Sequence, residues 1–377
     1  MKQNILIVAG EASGDLHAAA LIRVLNQKHP DLTFTGIGGD KMKAEGVCLL
    51  YHISDFAFLG LIEVVKHLPF IRKVKRDILN YAENEGIKTV ILVDYPGFNL
   101  SIAKELHKKG VKIIYYISPQ VWAWGKGRIK TIRKIVDKML VVFTFEEALY
   151  KMHGVDAVFV GHPLTERVKE YPYLSREEFC ARHGLDPDRQ ILLLLPGSRQ
   201  QEVSMIFPDA IQGAGMIARK HNMQIVVALA QTINREAFRM KADTVPFTVV
   251  EDDTYNCMKH ASFGIIKSGT STIEAALLGL PMVVVYKTNS LTFAIGKRLV
   301  KIRNIGMVNI IAGKTIVPEL LQGDAKAEKI FEASDEILSS EKKYSEMKNA
   351  LTEAGSVLGT KPASDIAAEE ILKVLNR

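Results

Sequence analysis

Three cysteines, two tryptophans and no apolar run long enough to cross a bilayer narrow the reading of this 377-residue chain before any motif is considered. Cys48, Cys180 and Cys257 lie far apart without metal-ligand spacing. That excludes a disulfide framework and a zinc site, and predicts a reducing compartment and no metal. The segment Met1 to Gly10 lacks the charged, apolar and small-residue order of a signal peptide, so the expected location is the cytoplasm. Neither an internal repeat nor a low-complexity tract is present, which excludes solenoid and disordered classes. Excess charge is small: 49 Lys+Arg against 42 Asp+Glu leave +7. Such a balance suits an anionic substrate, an anionic membrane surface or nucleic acid, without choosing among them. What is there is apolar content, 47% of the chain, enough to bury the cores of two or three domains.

Short β-rich runs alternate with helical patterns. Asn4 to Ala9, Thr33 to Ile37, Thr89 to Val93, Lys112 to Tyr116, Lys138 to Phe143 and Ala157 to Val160 predict six strands of a first α/β domain, residues 1–165. The rhythm breaks at Gly161-His162-Pro163-Leu164. It restarts with Ile191 to Leu195, Gln224 to Leu229, Phe247 to Val250, Ser262 to Ile266 and Met282 to Tyr286, a second domain over 166–345. Helices over 346–377 are expected to pack back on an N-terminal domain. The last of them needs a partner surface for Ala367, Ile371, Val374 and Leu375, on its own chain or on a second copy as a homodimer. The predicted class is α/β, two doubly wound Rossmann-like domains facing a central cleft, with C-terminal helices.

The chemistry gathers at strand ends. Lys267-Ser268-Gly269-Thr270-Ser271 follows a strand and opens a helix, where loop amides, hydroxyls and the helix dipole can hold a phosphate. Glu274 sits on the first turn, placed to accept the hydroxyls of a ribose. An ordinary capped helix produces a similar string. Gly197, Ser198 and Arg199 form a second such loop after Leu195, with an arginine fork suited to a diphosphate; Arg199 paired with Glu202 is the plainer alternative. Asp94 ends the strand Thr89 to Val93 and faces either general-base duty or service as a cap for the helix starting near Asn99. Gln120, Trp122 and Trp124 follow another strand, as sugar or acyl contacts or as packing. Gly10, Glu11, Ser13 and Gly14 lack the Gly-x-Gly-x-x-Gly fingerprint, which excludes a nicotinamide or flavin; no cofactor is expected.

Phe56 to Arg76 joins apolar Ile62, Val64, Val65, Leu68 and Ile71 to basic Arg72 and Lys73, a pattern of interfacial membrane binding or of a buried helix. Nucleic acid explains the charge but not the adjoining apolar faces, so no nucleic-acid partner is expected.

As a set, Gly10-Glu11-Ala12-Ser13-Gly14-Asp15, Asp94 with Pro96, Phe98 and Asn99, Ser118 to Trp124, Leu195 to Arg199, Ser268-Gly269-Thr270 with Glu274, and Asn309 before Ala312-Gly313 resemble the lipid-A-disaccharide synthase family, from the first strand to about Leu321. The resemblance implies a GT-B, metal-independent glycosyltransferase. It would join UDP-2,3-diacylglucosamine to 2,3-diacylglucosamine 1-phosphate and release UDP, working peripherally on the cytoplasmic face of an anionic inner membrane. It implies Asp94 as the catalytic carboxylate, and Arg199, Glu274 and Asn309 around the UDP-sugar. Gly97 stands where the family can carry an acid, so a second carboxylate beside the base is missing. A UDP-sugar 2-epimerase and a non-catalytic UDP-sugar-binding or membrane-scaffold protein are the rival readings.

Overall fold

In a computed structural model the described residues are 3–56, 67–123, 125, 127–230, 233, 245–289 and 304–376. Two compact units form, one of residues 1–166 and 358–377, the other of 167–357.

The first unit is a seven-stranded parallel sheet of β1 (Gln3–Ala9), β2 (Leu32–Gly38), β3 (Cys48–His52), β4 (Thr89–Val93), β5 (Lys112–Tyr116), β6 (Lys138–Val141) and β7 (Ala157–Phe159), in the order β3-β2-β1-β4-β5-β6-β7. The β1, β4 and β5 cores are wholly apolar and buried, as a sheet covered on both faces requires. Winding runs outward in both directions from the β1–β4 pair, where Ala9 lies opposite Val93. The chain therefore leaves β1 toward one edge and β4 toward the other, opening a crevice beyond their carboxyl ends. Cys48–His52 is a strand the sequence did not announce. It is a partly exposed edge without an apolar run.

The second unit repeats the plan with six strands: β8 (Ile191–Leu195), β9 (Gln224–Leu229), β10 (Thr248–Glu251), β11 (Phe263–Lys267), β12 (Met282–Tyr286) and β13 (Glu319–Leu321), ordered β10-β9-β8-β11-β12-β13. Its winding reverses between β8 and β11, where Leu195 lies opposite Ile266. Here too the short, half-exposed edge strand, Glu319–Leu321, was not legible in advance.

The C-terminal helices part company. Glu341–Ser356, expected in part to return to the first domain, buries Met347, Leu351 and Ala354 within the second unit. Ala363–Leu375 packs on the helix Ala12–Lys28 of the first unit. Ser364 donates to Glu166 at 2.7 Å and Lys138 pairs with Glu370 at 3.2 Å to fix it there. Its buried face is Ala363, Ala367, Ala368, Ile371 and Val374. Among the described residues no helix is long and apolar enough to cross a membrane.

Candidate active site

In the first unit the β1–β4 crevice holds Gly10 and Asp94. Asp94 and Tyr95 are consecutive non-glycine residues in the left-handed region, with φ of 47° and 45°. Each such residue costs on the order of 1–3 kcal/mol and persists only where surroundings over-determine it. The over-determination is visible. The Asn99 amide donates to the main-chain oxygens of Asp94 at 2.7 Å and Val93 at 3.1 Å, and the Tyr115 hydroxyl donates to Asp94 O at 2.6 Å. The helix therefore begins at Pro96, three residues before the sequence expectation, with the Asp94 carboxylate outside it and no side-chain cap from Tyr95. Burial raises the Asp94 pKa to about 6, the Glu11 charge adds to that, and a backbone hydrogen bond from Tyr95 opposes it. A carboxylate poised there is a competent base near neutrality.

Gly10 is where it is because of Tyr95: a Cβ on Gly10 would lie 2.2 Å from the tyrosine ring. Glu11 is exposed at the N-cap of the next helix, Ser13 is exposed on its first turn, and Gly14 on that turn is buried. Asp15 belongs to the scaffold, accepting from the amides of Gly39 at 2.6 Å and Met42 at 3.1 Å. Gln120 is exposed. Trp122 is half-buried, its indole donating to Glu146 at 3.0 Å, and Trp124 lies outside the described residues. Glu146 is a residue sequence reasoning passed over. Burial raises its pKa to about 7, opposed by hydrogen-bond donors that include the Trp122 indole.

In the second unit the β8–β11 switch point brings both phosphate-like loops to one pocket, lined by Gly197, Ser198, Arg199, Gly269, Thr270 and Ser271. Two further residues of its lining, Glu202 and Lys267, were not singled out as site residues. Lys267 Nζ meets Glu202 Oε1 at 2.9 Å, and the largely exposed Arg199 reaches the same carboxylate at 3.8 Å. Gly197, with φ 130°, passes so close that a Cβ would sit 2.8 Å from Glu202 Oε2. Glu202 thus anchors two cations at the pocket, and neither of the two readings of Arg199 displaces the other.

Glu274 is held by the Tyr255 hydroxyl at 2.6 Å, with Arg167 over the Tyr255 ring at 5.1 Å. Its pKa is raised by burial, against the opposing pull of Tyr255 and Arg167.

Two expected contacts are turned elsewhere. Ser268 has both donors committed, its amide to Val285 O and its hydroxyl to Ile305 O, each at 2.9 Å. Asn309 is fully buried with every polar atom engaged: Nδ2 donates to Val317 O and Glu319, and Oδ1 accepts from the Ile316 and Val317 amides. Glu319 in turn accepts from the Ile305 and Gly306 amides. Through these bonds Asn309 and Ser268 brace the loop beside the pocket. The reason is the unforeseen strand β13, which brings Glu319 beneath them.

Of the membrane candidates, Ile62, Val64 and Val65 lie outside the described residues. Leu68 is 37% exposed, Ile71 packs partly on the core, and Arg72 and Lys73 are exposed on the helix Leu68–Asn84. Among the described residues no group of three His, Cys, Asp or Glu could hold a metal ion.

A family model described as lipid-A-disaccharide synthetase matches residues 5–370. The lipid-A-disaccharide synthase of Geobacter sulfurreducens is 40% identical over 377 residues, 99% of this chain and 98% of that protein. That of Myxococcus xanthus is 38% identical over 375 residues, 99% and 97%. Among solved structures, UDP-GlcNAc 2-epimerase from Neisseria meningitidis bound to UDP-GlcNAc aligns with TM-score 0.66 at 12% identity, over 99% of this chain and 100% of that one. The calicheamicin glycosyltransferase aligns with TM-score 0.65 at 15% identity, over 100% and 99%. At such identities these two establish the fold alone, that of GT-B glycosyltransferases and epimerases.

Proposed function

The chain belongs to the lipid-A-disaccharide synthase family of glycosyltransferases, and from that premise we propose that it condenses UDP-2,3-diacylglucosamine with 2,3-diacylglucosamine 1-phosphate. Family membership carries a sugar-nucleotide donor and lipid-linked substrates; the acyl pattern and the residue roles are our reading. Asp94, a partly buried carboxyl with pKa about 6 at a strand's carboxyl end, is the observation that carries it. As carboxylate it takes the proton of the acceptor 6-hydroxyl while that oxygen bonds to the donor's anomeric carbon. The bond from that carbon to the diphosphate oxygen breaks, UDP leaves with its electron pair, and the α-linked donor becomes a β-1,6 linkage.

Charge growing on the departing diphosphate is met at the pocket by Arg199, Lys267, Ser198 and the Gly269–Ser271 loop. Fixed donors of this kind contribute several kcal/mol in ordered sites. Glu274, oriented by Tyr255, accepts the ribose hydroxyls. Asn99 and Tyr115 act through Asp94 by holding its backbone. Leu68, Ile71, Arg72 and Lys73 support peripheral attachment to an anionic membrane, from which acylated sugars are drawn.

Mass spectrometry of products from purified protein with both sugars tests the reading. A β-1,6 disaccharide 1-phosphate and free UDP are expected. Epimerised UDP-sugar without a disaccharide would establish the rival activity instead.

A further inference from the structure

A basic hollow opens beside the turn that carries Asp94. Lys75 enters it from the helix Leu68–Asn84, Gly97, Ser101 and Lys104 from Pro96–Lys108, and Arg128 from Arg128–Ile135. We propose that this hollow seats the phosphomonoester of the acceptor, with Lys75, Lys104 and Arg128 balancing its charge and Ser101 adding a hydroxyl. The inference rests on the glycosyl-transfer reading and extends it to a group for which no residues have been assigned.

Three cations converge from three separate helices, which a solvated face of one helix does not require. A phosphomonoester near neutral pH carries about −1.5 to −2 charges, and such a cluster relieves its own repulsion by binding one. Lys75 is already positioned, its Nζ 2.8 Å from Ser101 Oγ. Arg128 supplies a planar fork. The acid in the lining, Glu105, is held by Lys108 at 3.0 Å. Lys108 is the main cause of its lowered pKa, with Lys75 and Lys104 contributing less. The hollow thus keeps its positive balance.

Location supplies the second argument. One sugar ring bears both the attacking 6-hydroxyl and the 1-phosphate, so the phosphate seat must lie within a ring's breadth of the base. Pro96 and Gly97, in the lining, follow Asp94 by two and three positions. Arg128 is close enough to oppose electrostatically the burial-driven rise in the Tyr115 pKa, to which Asp94 adds. That same hydroxyl donates to Asp94 O. The nucleotide pocket lies in the other unit, so the two anion seats are built from separate residues.

The test compares kcat/KM for the acylated sugar phosphate and for the same sugar lacking its phosphate, in detergent micelles. Wild type, K75M, K104M, R128M, the K75M/K104M double and the triple variant are measured. Each single change should raise KM for the phosphorylated acceptor ~10-fold, the loss of one charge-assisted contact. In the triple variant the preference for phosphate should largely vanish, with donor KM and UDP affinity unchanged. Circular dichroism and a cooperative thermal unfolding of the whole chain certify folding, and the double variant stands if R128M does not fold.

A preference that survives in the folded multiple variants overturns the proposal, as do equal losses on both acceptors. If only recovery on phosphatidylglycerol vesicles falls, the hollow serves lipid headgroups and the proposal also fails. Should wild type make no disaccharide, the transfer reading falls separately. Calorimetric titration with glucosamine 1-phosphate then decides the hollow: heat abolished in the triple variant supports it, and heat that is unchanged sinks it.

Discussion

The side-chain amide of Asn99 reaches back over the turn to the main-chain oxygen of Asp94 at 2.7 Å. This bond, with the Tyr115 hydroxyl on the same oxygen, holds two left-handed residues at the end of β4 and aims the carboxylate. Asn99→Ala is expected to destabilise the protein by about 1–3 kcal/mol, since it removes the amide donor to the buried Val93 carbonyl and one of two donors to Asp94 O, and to lower kcat with donor KM unchanged. Asp94→Asn keeps the turn and should lose turnover by ~10²-fold or more with UDP affinity intact. Steady-state kinetics and UDP calorimetry on both variants separate positioning from proton transfer; wild-type turnover in Asp94→Asn would remove the base assignment.

The elevated Asp94 pKa makes opposite demands on activity and stability. With Asp94 as the proposed base, kcat/KM should rise with pH through about 6 and level off above it. For stability, the folded pKa of about 6 exceeds the ordinary aspartate value of 3.8, so between those values the folded state holds a proton that the unfolded state has released. This group's contribution therefore falls as pH rises through that window. Asp94→Asn should accordingly raise Tm at pH 7.5, by roughly 2 kcal/mol of stability, and leave it nearly unchanged at pH 4. A Tm gain equal at both pH values would contradict the burial-driven shift.

At the pocket beyond Leu195 and Ile266, Lys267 and Arg199 share Glu202. Arg199→Ala should mainly weaken donor use. Lys267→Ala should both weaken UDP binding ~10-fold and cost stability, because it leaves a largely buried carboxylate without its nearest partner. Calorimetry with UDP and thermal unfolding read the two effects. An effect of Arg199→Ala confined to acceptor kinetics would count against a phosphate role.

Trp122, in the turn that follows β5, and Glu146, at the start of the helix Thr144–Met152, form a partly buried pair. Glu146→Gln retains an oxygen for the indole and should be mild, whereas Glu146→Leu should shift Trp122 fluorescence to the red in a Trp124→Phe background. Identical spectra for the two substitutions would show that the bond does not order the indole.

Leu68→Ser with Ile71→Ser should lower recovery on anionic vesicles. Fractionation indifferent to both changes would make this end of the helix core rather than membrane contact.

Much of the fold could be read along the chain because buried parallel strands are short unbroken apolar runs between helical patterns: Thr89–Val93 and Ile191–Leu195 carry their own signal. The edge strands Cys48–His52 and Glu319–Leu321 do not, since their partly exposed residues need no such run. The specific strings around Asp94, Pro196 to Arg199 and Ser268 to Glu274 identified the family, because local turn chemistry and side-chain type are properties of neighbours in sequence. Roles that depend on distant partners were hidden. Nothing near Asn309 announces that Val317 and Glu319 will occupy its amide, and nothing near Ser268 announces Ile305.

The sequence by itself thus determined the alternation of strands and helices, the two sheets and the residues able to bear charge or accept a proton. Only the tertiary structure decided which partners hold them. Sheet order sets Gly10 beside Asp94 and joins the loops after Leu195 and Ile266, while long-range hydrogen bonds withdraw Asn309 and both donors of Ser268. The physical reason is that a polar atom's capacity for hydrogen bonds is finite, and folding assigns it to whichever partner the topology brings within about 3 Å.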